Sequence, residues 1–357
     1  MLIKKDKVLY FYTAESPFVE KDIQIFSRQF EVIPFHFNLY KKKQMAIILF
    51  RQFFFLLWHI LSSKLIVCQF AGLHAWLPIH FARLFSKKSL VVAGGTDCVS
   101  FPSIGYGNFS NPRNAKITRF CFNNCSLILP VHESLVLYDY TYQDKDFSKQ
   151  GINYFIPELK TPIRVVYNGY DSNYWKRGEV EKQDLSFFTV LGHLNSRFTL
   201  QLKGIDLFIE AARNFPGARF TILGGAGIQL EEKPKNLHLI SNVWGTELVK
   251  VFALQQFYVQ LSMSEGFPNA LSEAMLCECV PIVSNVGGMP DIVGDCGFIL
   301  KRKEKEMLFE LLKTALKDDH LKQKAICARE RISQLYTFEN RQNGIENAVK
   351  ECLETKN

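Results

Sequence analysis

The feature that most constrains this chain is an alternation. Short runs rich in β-branched and aromatic residues recur along it: KVLYFY, EVIPFHF, KLIVCQF, SLVVAGG and SLILPV, then FFTVLGHL, RFTILGG, LHLISNV, YVQLSM and VPIVSN. Stretches with helical spacing separate them. Strands joined through helices return parallel to one another, so the pattern predicts parallel sheets built from βαβ units. With 357 residues, the chain exceeds the size at which one core stops growing, and two domains are expected. The sharpest break is TPIRVVYNGYDSNYWKRGEVEKQD at 161–184, an Asn-Gly turn followed by a polar, charged stretch. The expected fold is therefore α/β, with two Rossmann-like doubly wound parallel-sheet domains facing across a cleft. Their bounds are set at 1–165 and 166–335, with a helical segment 336–357 packing back toward the first domain. Ligands of such sheets bind beyond the carboxyl ends of the strands. Four strand-to-helix loops are thus of interest: AGGTD at 93–97, LGHLNSRFTLQLKG at 191–204, GGAG at 224–227 and SEGFPN at 264–269.

Composition removes several classes. Apolar residues at 47% and charged residues at 22%, without low-complexity tracts or a fixed repeat, exclude disorder and solenoids. Nine cysteines form no even framework, and the close pairs Cys121/Cys125 and Cys277/Cys279 lack partners for a tetrahedral metal site. Buried free thiols are expected. The opening MLIKKDKVLYFY enters a strand directly rather than a signal-peptide core, which predicts a cytoplasmic protein.

The net charge of +8 is unevenly placed, with Lys41, Lys42 and Lys43 preceding the apolar run MAIILFRQFFFLLWHIL. A run of about 17 residues is near the lower limit for crossing a bilayer, and Arg51 and His59 interrupt it, so spanning is not expected. A helix buried against the sheet is expected, because LIVCQF follows as a buried strand. The other reading is a helix on a membrane surface, and the two can coexist. No recognition module for nucleic acid is present, and none is expected as a partner.

Among the loops, GGAG lacks the full G-x-G-x-x-G because Leu230 fills the third glycine's slot, and reads as a tight turn. Arg197 and Lys203, ahead of Gly204 and the helical pattern IDLFIEAAR, place two cations at a helix entrance. This suits a diphosphate, since Arg offers parallel N–H bonds and Lys a point charge; a solvated basic loop fits equally. In SEGFPNALSEAM at 264–275, Pro268 suits the first helical position and Met263 ends the strand, leaving Glu265 in the loop. Glu273 lies on the helix, one eight-residue step further. Both carboxylates can then face one ligand at different heights, accepting hydrogen bonds from sugar or ribose hydroxyls. Alternatively, Glu265 only complements the helix end and Glu273 is an exposed helical residue.

The stretch SEGFPNALSEAMLCECVPIVSNVGGMPDIV resembles the E-x7-E region of the family 4 retaining glycosyltransferases, group 1 enzymes of the GT-B fold. RVVYNGYDSNYW at 164–175, LKGIDLFIEAA at 202–212, RFTILGGAG and FENRQNGIENAV at 338–349 extend the likeness over most of residues 160–350. The resemblance implies a metal-independent transfer of a sugar from a nucleoside diphosphate to an acceptor hydroxyl, with retention. It requires no cofactor, and UDP is favoured over GDP as the leaving nucleotide. Glu265 would contact donor sugar hydroxyls, Glu273 the ribose, and Arg197 and Lys203 the diphosphate. The amides of Gly266, Phe267 and Asn269 would lie near sugar and phosphate, and Val243 and Thr246 near the base. The chain departs from the family pattern twice: His193 stands where an arginine is usual, leaving Arg197 to a longer loop, and Gly94-Gly95 replaces a His-Gly. Gly94, Gly95 and Asp97 would then meet sugar or acceptor by backbone or carboxylate, with His74 and His132 nearby. The expected partners are a nucleotide-sugar donor, a glycan or glycolipid acceptor, and an anionic membrane at the inner face of the cell. Asp144-Lys145-Asp146, the one candidate metal-binding Asp-x-Asp, follows no strand and reads as a surface loop. The competing functions are a nucleotide-sugar epimerase and a non-catalytic binding protein on the same fold.

Overall fold

The strand runs are apolar at nearly every position, as strands covered by helices on both faces must be. In the computed structural model, which describes residues 5–39, 41–192 and 197–354, they form parallel sheets. Only the backbone is described for the helical residues Lys42, Arg197 and Phe198. The chain divides into two compact units, one holding the residues up to 138, 149–167 and those from 341 on, the other 139–148 and 168–340.

The first unit carries β1 (Lys7–Tyr12), β2 (Glu31–His36), β3 (Ser63–Gln69), β4 (Lys88–Ala93) and β5 (Leu127–Pro130) in the order β2-β1-β3-β4-β5. All neighbours are parallel, which is a doubly wound arrangement. The helices Pro17–Gln29, Met45–His59, Leu73–Leu84 and Pro112–Asn124 form the crossovers. Local sequence explains their starts. Ser16 accepts a hydrogen bond from Val19 N ahead of Pro17, and Asn111 accepts from Arg113 N and Asn114 N ahead of Pro112. The last helix, Phe338–Glu354, gives this unit Arg341, whose Nε and Nη2 meet the buried Asp22 carboxylate at 2.8 Å each. Its Nη1 donates to Tyr167 O at 3.0 Å, so the buried charge is both paired and hydrogen-bonded.

The second unit carries β6 (Gln183–Val190), β7 (Arg219–Leu223), β8 (Leu237–Ile240), β9 (Gln255–Gln260), β10 (Val280–Ser284) and β11 (Phe298–Leu300). Their order, β8-β7-β6-β9-β10-β11, is that of a dinucleotide-binding sheet. All ten expected strands are present, and β11, three residues long, and the two-residue strands Tyr138–Asp139 and Lys149–Gln150 are added to them. Each unit is thus a Rossmann-like α/β sheet.

Local expectations require four corrections. Strand β9 stops at Gln260 rather than Met263, because Met263 N turns away to donate to Leu202 O at 2.8 Å. Pro268 is the cap and not the first helical residue; its ψ of 120° is extended, and the helix runs Asn269–Leu276. Cys296 and Cys327 are joined in a disulfide rather than free, because the helix Leu321–Leu335 brings their Cα atoms to 5.4 Å across 31 residues of sequence. The other cysteines are buried thiols. Finally, the helix Met45–His59 is not buried all round: Ile48, Gln52 and Leu56 face inward, while Ile47, Phe50, Phe54, Leu57 and Trp58 are exposed. Helical spacing allows one stripe to meet the sheet, and the neighbouring helices leave the opposite side uncovered. Among the described residues no helix is long and apolar enough to cross a membrane.

Candidate functional site

The second unit gathers the site where β6 and β9 end. Gly204 turns the chain with φ of +67°, and a Cβ there would lie 2.1 Å from Leu261 O. Only glycine allows so close an approach in that conformation. Together with the bond from Met263 N to Leu202 O, this fixes the Lys203 turn against residues 261–263. The consequence is an ion pair: Lys203 Nζ lies 2.7 Å from Glu265 Oε1, with 32% and 12% of the two side chains exposed. The same oxygen accepts from Gln260 Nε2 at 2.9 Å, while Gln260 Oε1 accepts from the buried Tyr258 hydroxyl at 3.1 Å.

Glu273 joins this cluster from the helix. The Tyr258 phenol is pushed well above its ordinary pKa, first by burial, then by the negative charge of Glu265 and then by that of Glu273. Both carboxylates therefore act electrostatically on one buried phenol. Glu273 is half-buried, not an exposed helical residue.

Backbone contacts hold the loop between them. Gly287 has φ of +56°, and a Cβ on it would stand 1.8 Å from Glu265 O. Gly288 N donates to Gly266 O at 3.2 Å. On the other side Asn168 Nδ2 donates to Phe267 O and to Asn269 Oδ1, each at 3.2 Å, and the Tyr170 hydroxyl reaches Asn269 Oδ1 at 2.7 Å. The Asn-Gly-Tyr segment, read in the sequence as a junction, is a clamp on this loop. Gln260, Asn168 and Tyr170 are residues the sequence reading missed, and a polar glutamine in the core-facing end of an apolar strand was the available signal.

The remaining loops of this unit are structural or partly described. Arg197 begins the helix Arg197–Leu202, its side chain lies outside the described residues, and so does His193. The amides of Gly224 and Gly225 both donate to Ile240 O, which accounts for GGAG as a turn. Asn242 Nδ2 donates to Gly192 O at 2.8 Å, tying the turn that carries Val243 to the start of the 191–204 loop. Val243 is half-buried, and Thr246 is exposed in the first turn of the helix Gly245–Leu254 beside an exposed Trp244. Asp144 pairs with Arg302 and Asp146 accepts from Gln143, so both are engaged within the loop.

In the first unit, Asp97 is buried and accepts from Ala71 N at 2.9 Å, Gly95 N at 3.1 Å and Gly94 N at 3.2 Å. Burial raises its pKa against the pull of these amides. Carboxylate and amides thus satisfy one another inside the loop. Gly94 has no room for a side chain, since a Cβ would meet the Phe70 ring at 1.9 Å. His74 is buried with Nε2 2.6 Å from Gln69 O, and burial lowers its pKa to about 4. His132 caps a short turn by accepting from Ser134 N.

Known proteins resemble this chain in sequence and in fold. Residues 176–331 match the family model described as glycosyl transferases group 1. The N-acetylgalactosamine-N,N'-diacetylbacillosaminyl-diphospho-undecaprenol 4-alpha-N-acetylgalactosaminyltransferase of Campylobacter jejuni is 26% identical over 264 residues, 68% of this chain and 64% of that protein. The phosphatidylinositol N-acetylglucosaminyltransferase gpi3 subunit of Schizosaccharomyces pombe is 27% identical over 38% of this chain, but this chain spans only 33% of that protein's length. Sucrose-phosphate synthase of Thermosynechococcus elongatus shares the fold with a TM-score of 0.73 at 12% identity, over 97% of this chain and 99% of that one. Anabaena HepE in complex with UDP-glucose does so with 0.68 at 14%, over the same shares. The chain therefore has the GT-B fold, and its residues 176–331 carry the likeness to the group 1 glycosyltransferases.

Proposed function

We propose that this protein transfers a sugar from a nucleoside diphosphate to an acceptor hydroxyl with retention of configuration and without a metal ion. The observation that carries the reading is Lys203 paired with Glu265 at the ends of the sheet, with Glu273 one eight-residue step beyond. Breaking a sugar–phosphate bond leaves negative charge on the departing nucleotide. A fixed ammonium, together with the amide-rich start of the helix Asn269–Leu276, stabilises that charge without rearranging during the step. Arg197 would add a second cation. Glu265 serves to orient sugar hydroxyls and to hold Lys203, Glu273 to bind the ribose, and Val243, Thr246 and Trp244 to border the base. The acceptor hydroxyl attacks the anomeric carbon from the face the nucleotide leaves, and its proton passes to a phosphate oxygen.

For the acceptor we favour a lipid-linked glycan, built at the inner face of a cell membrane. The Campylobacter relative is named for a diphospho-undecaprenol acceptor and the Schizosaccharomyces one for phosphatidylinositol, which supports this choice. Calorimetric titration of UDP, GDP and ADP into the wild type and into Glu273→Ala, with and without EDTA, tests the donor site. Binding of UDP that is weakened by the substitution and indifferent to EDTA is the expected result. Absence of binding by all three nucleotides would refute the donor assignment, and inverted anomeric coupling in the product would refute retention.

A further inference from the structure

The exposed side of the helix Met45–His59 is a single row. Ile47, Phe50, Phe54, Leu57 and Trp58 follow one another at steps of three, four, three and one, and Leu61 continues the line past the helix end. At 1.5 Å per residue the helix is about 22 Å long. Trp58 is 82% exposed and Phe50 64%, while the Phe50 and Phe54 rings lie 4.6 Å apart. Contiguous apolar surface of this kind marks a docking site.

Charge selects what docks. Between Glu31 and Asp97 the chain has no acidic residue and eight lysines and arginines, a surplus equal to the formal +8 of the whole protein. Lys41 and Lys43 precede the first turn, Arg51 lies along the helix, and Lys87 Nζ donates to Leu61 O at 3.0 Å at its far end. A second copy of the chain in a two-fold contact would set these cations against one another. Nucleic acid would suit the cations but leave the aliphatic and aromatic row in water. An anionic bilayer suits both, taking the rings into the boundary between headgroups and acyl chains and the cations at its phosphates. A free membrane peptide needs a polar back; here the fold covers that side through Ile48, Gln52 and Leu56.

We propose that this helix docks the protein on an anionic lipid surface, inserting Phe50, Phe54 and Trp58. The inference is independent of the transfer reaction. Its test is co-sedimentation of the whole chain with vesicles of phosphatidylcholine alone or mixed with phosphatidylglycerol, at low and high salt. The wild type should sediment with the mixed vesicles, the Phe50→Ser/Phe54→Ser/Trp58→Ser variant roughly tenfold less, and Lys41→Glu/Lys43→Glu less at low salt only. A blue shift of tryptophan emission on vesicle addition should disappear in Trp58→Phe. UDP titration of each variant, with circular dichroism, separates a failure of docking from a failure of the donor site or of folding. The proposal falls if the wild type stays in the supernatant, or if the triple variant sediments equally. It also falls if the row instead supports a dimer in light scattering, one that the triple variant loses without any vesicle dependence.

Discussion

Asp97 and Glu265 occupy the same kind of place, a carboxylate in the loop after a parallel strand, one in each unit. Asp97 spends its oxygens on the amides of Ala71, Gly94 and Gly95, which belong to its own loop and its neighbour. Glu265 accepts instead from the side chains of Lys203 and Gln260. The difference teaches that a carboxylate's partners, more than its position, separate one that closes a loop through backbone amides from one held by side chains, the arrangement the proposed donor site requires.

That contrast is open to attack at several points. Lys203→Ala should have the largest effect, slowing turnover by at least a hundredfold, about 3–4 kcal/mol, with stability nearly unchanged; steady-state kinetics beside thermal unfolding decides it. Asp97→Ala should do the opposite. Removing a carboxylate that serves three amides, two of them buried, should cost about 3 kcal/mol in denaturant unfolding while leaving kcat of the folded protein close to wild type. A large kcat loss at unchanged stability would bring Asp97 into the chemistry.

The first unit's structural character can also be read from acid. His74 has its folded pKa lowered from 6.5 to about 4, so the unfolded chain binds the extra proton between these values. Its contribution is fully present above pH 6.5 and is lost as pH falls toward 4, by up to about 3 kcal/mol. His74→Gln should flatten the slope of stability against pH in that window. Gln260→Leu is the mildest probe. It removes one of Glu265's two side-chain partners and should lower kcat about fivefold to tenfold, roughly 1 kcal/mol, more than it raises KM.

Much of this was legible in advance, because periodicity reports what is local. The ten strand runs alternate too regularly to be anything but parallel sheets, and the 264–275 segment shows its two glutamates in plain order. What stayed hidden depends on contacts between distant residues. The Cys296–Cys327 pair forms across 31 residues, and the clamp from Asn168 and Tyr170 reaches about a hundred residues along the chain. The uncovered face of the helix Met45–His59 was hidden for another reason. An apolar sequence states that a side chain avoids water and leaves unsaid which neighbour shields it.

Gly204 and Gly287 carry no functional group, yet each lies so close to another segment's carbonyl that a methyl group would overlap it. A saturation-mutagenesis screen scored on folding and nucleotide binding should therefore find both positions intolerant of any side chain. The map of intolerant positions would outline the site as a mould outlines a casting, by the spaces that must stay empty. Anyone reading such a map without the structure would look at those positions for a chemical group, where the requirement is only that the neighbouring carbonyl has room.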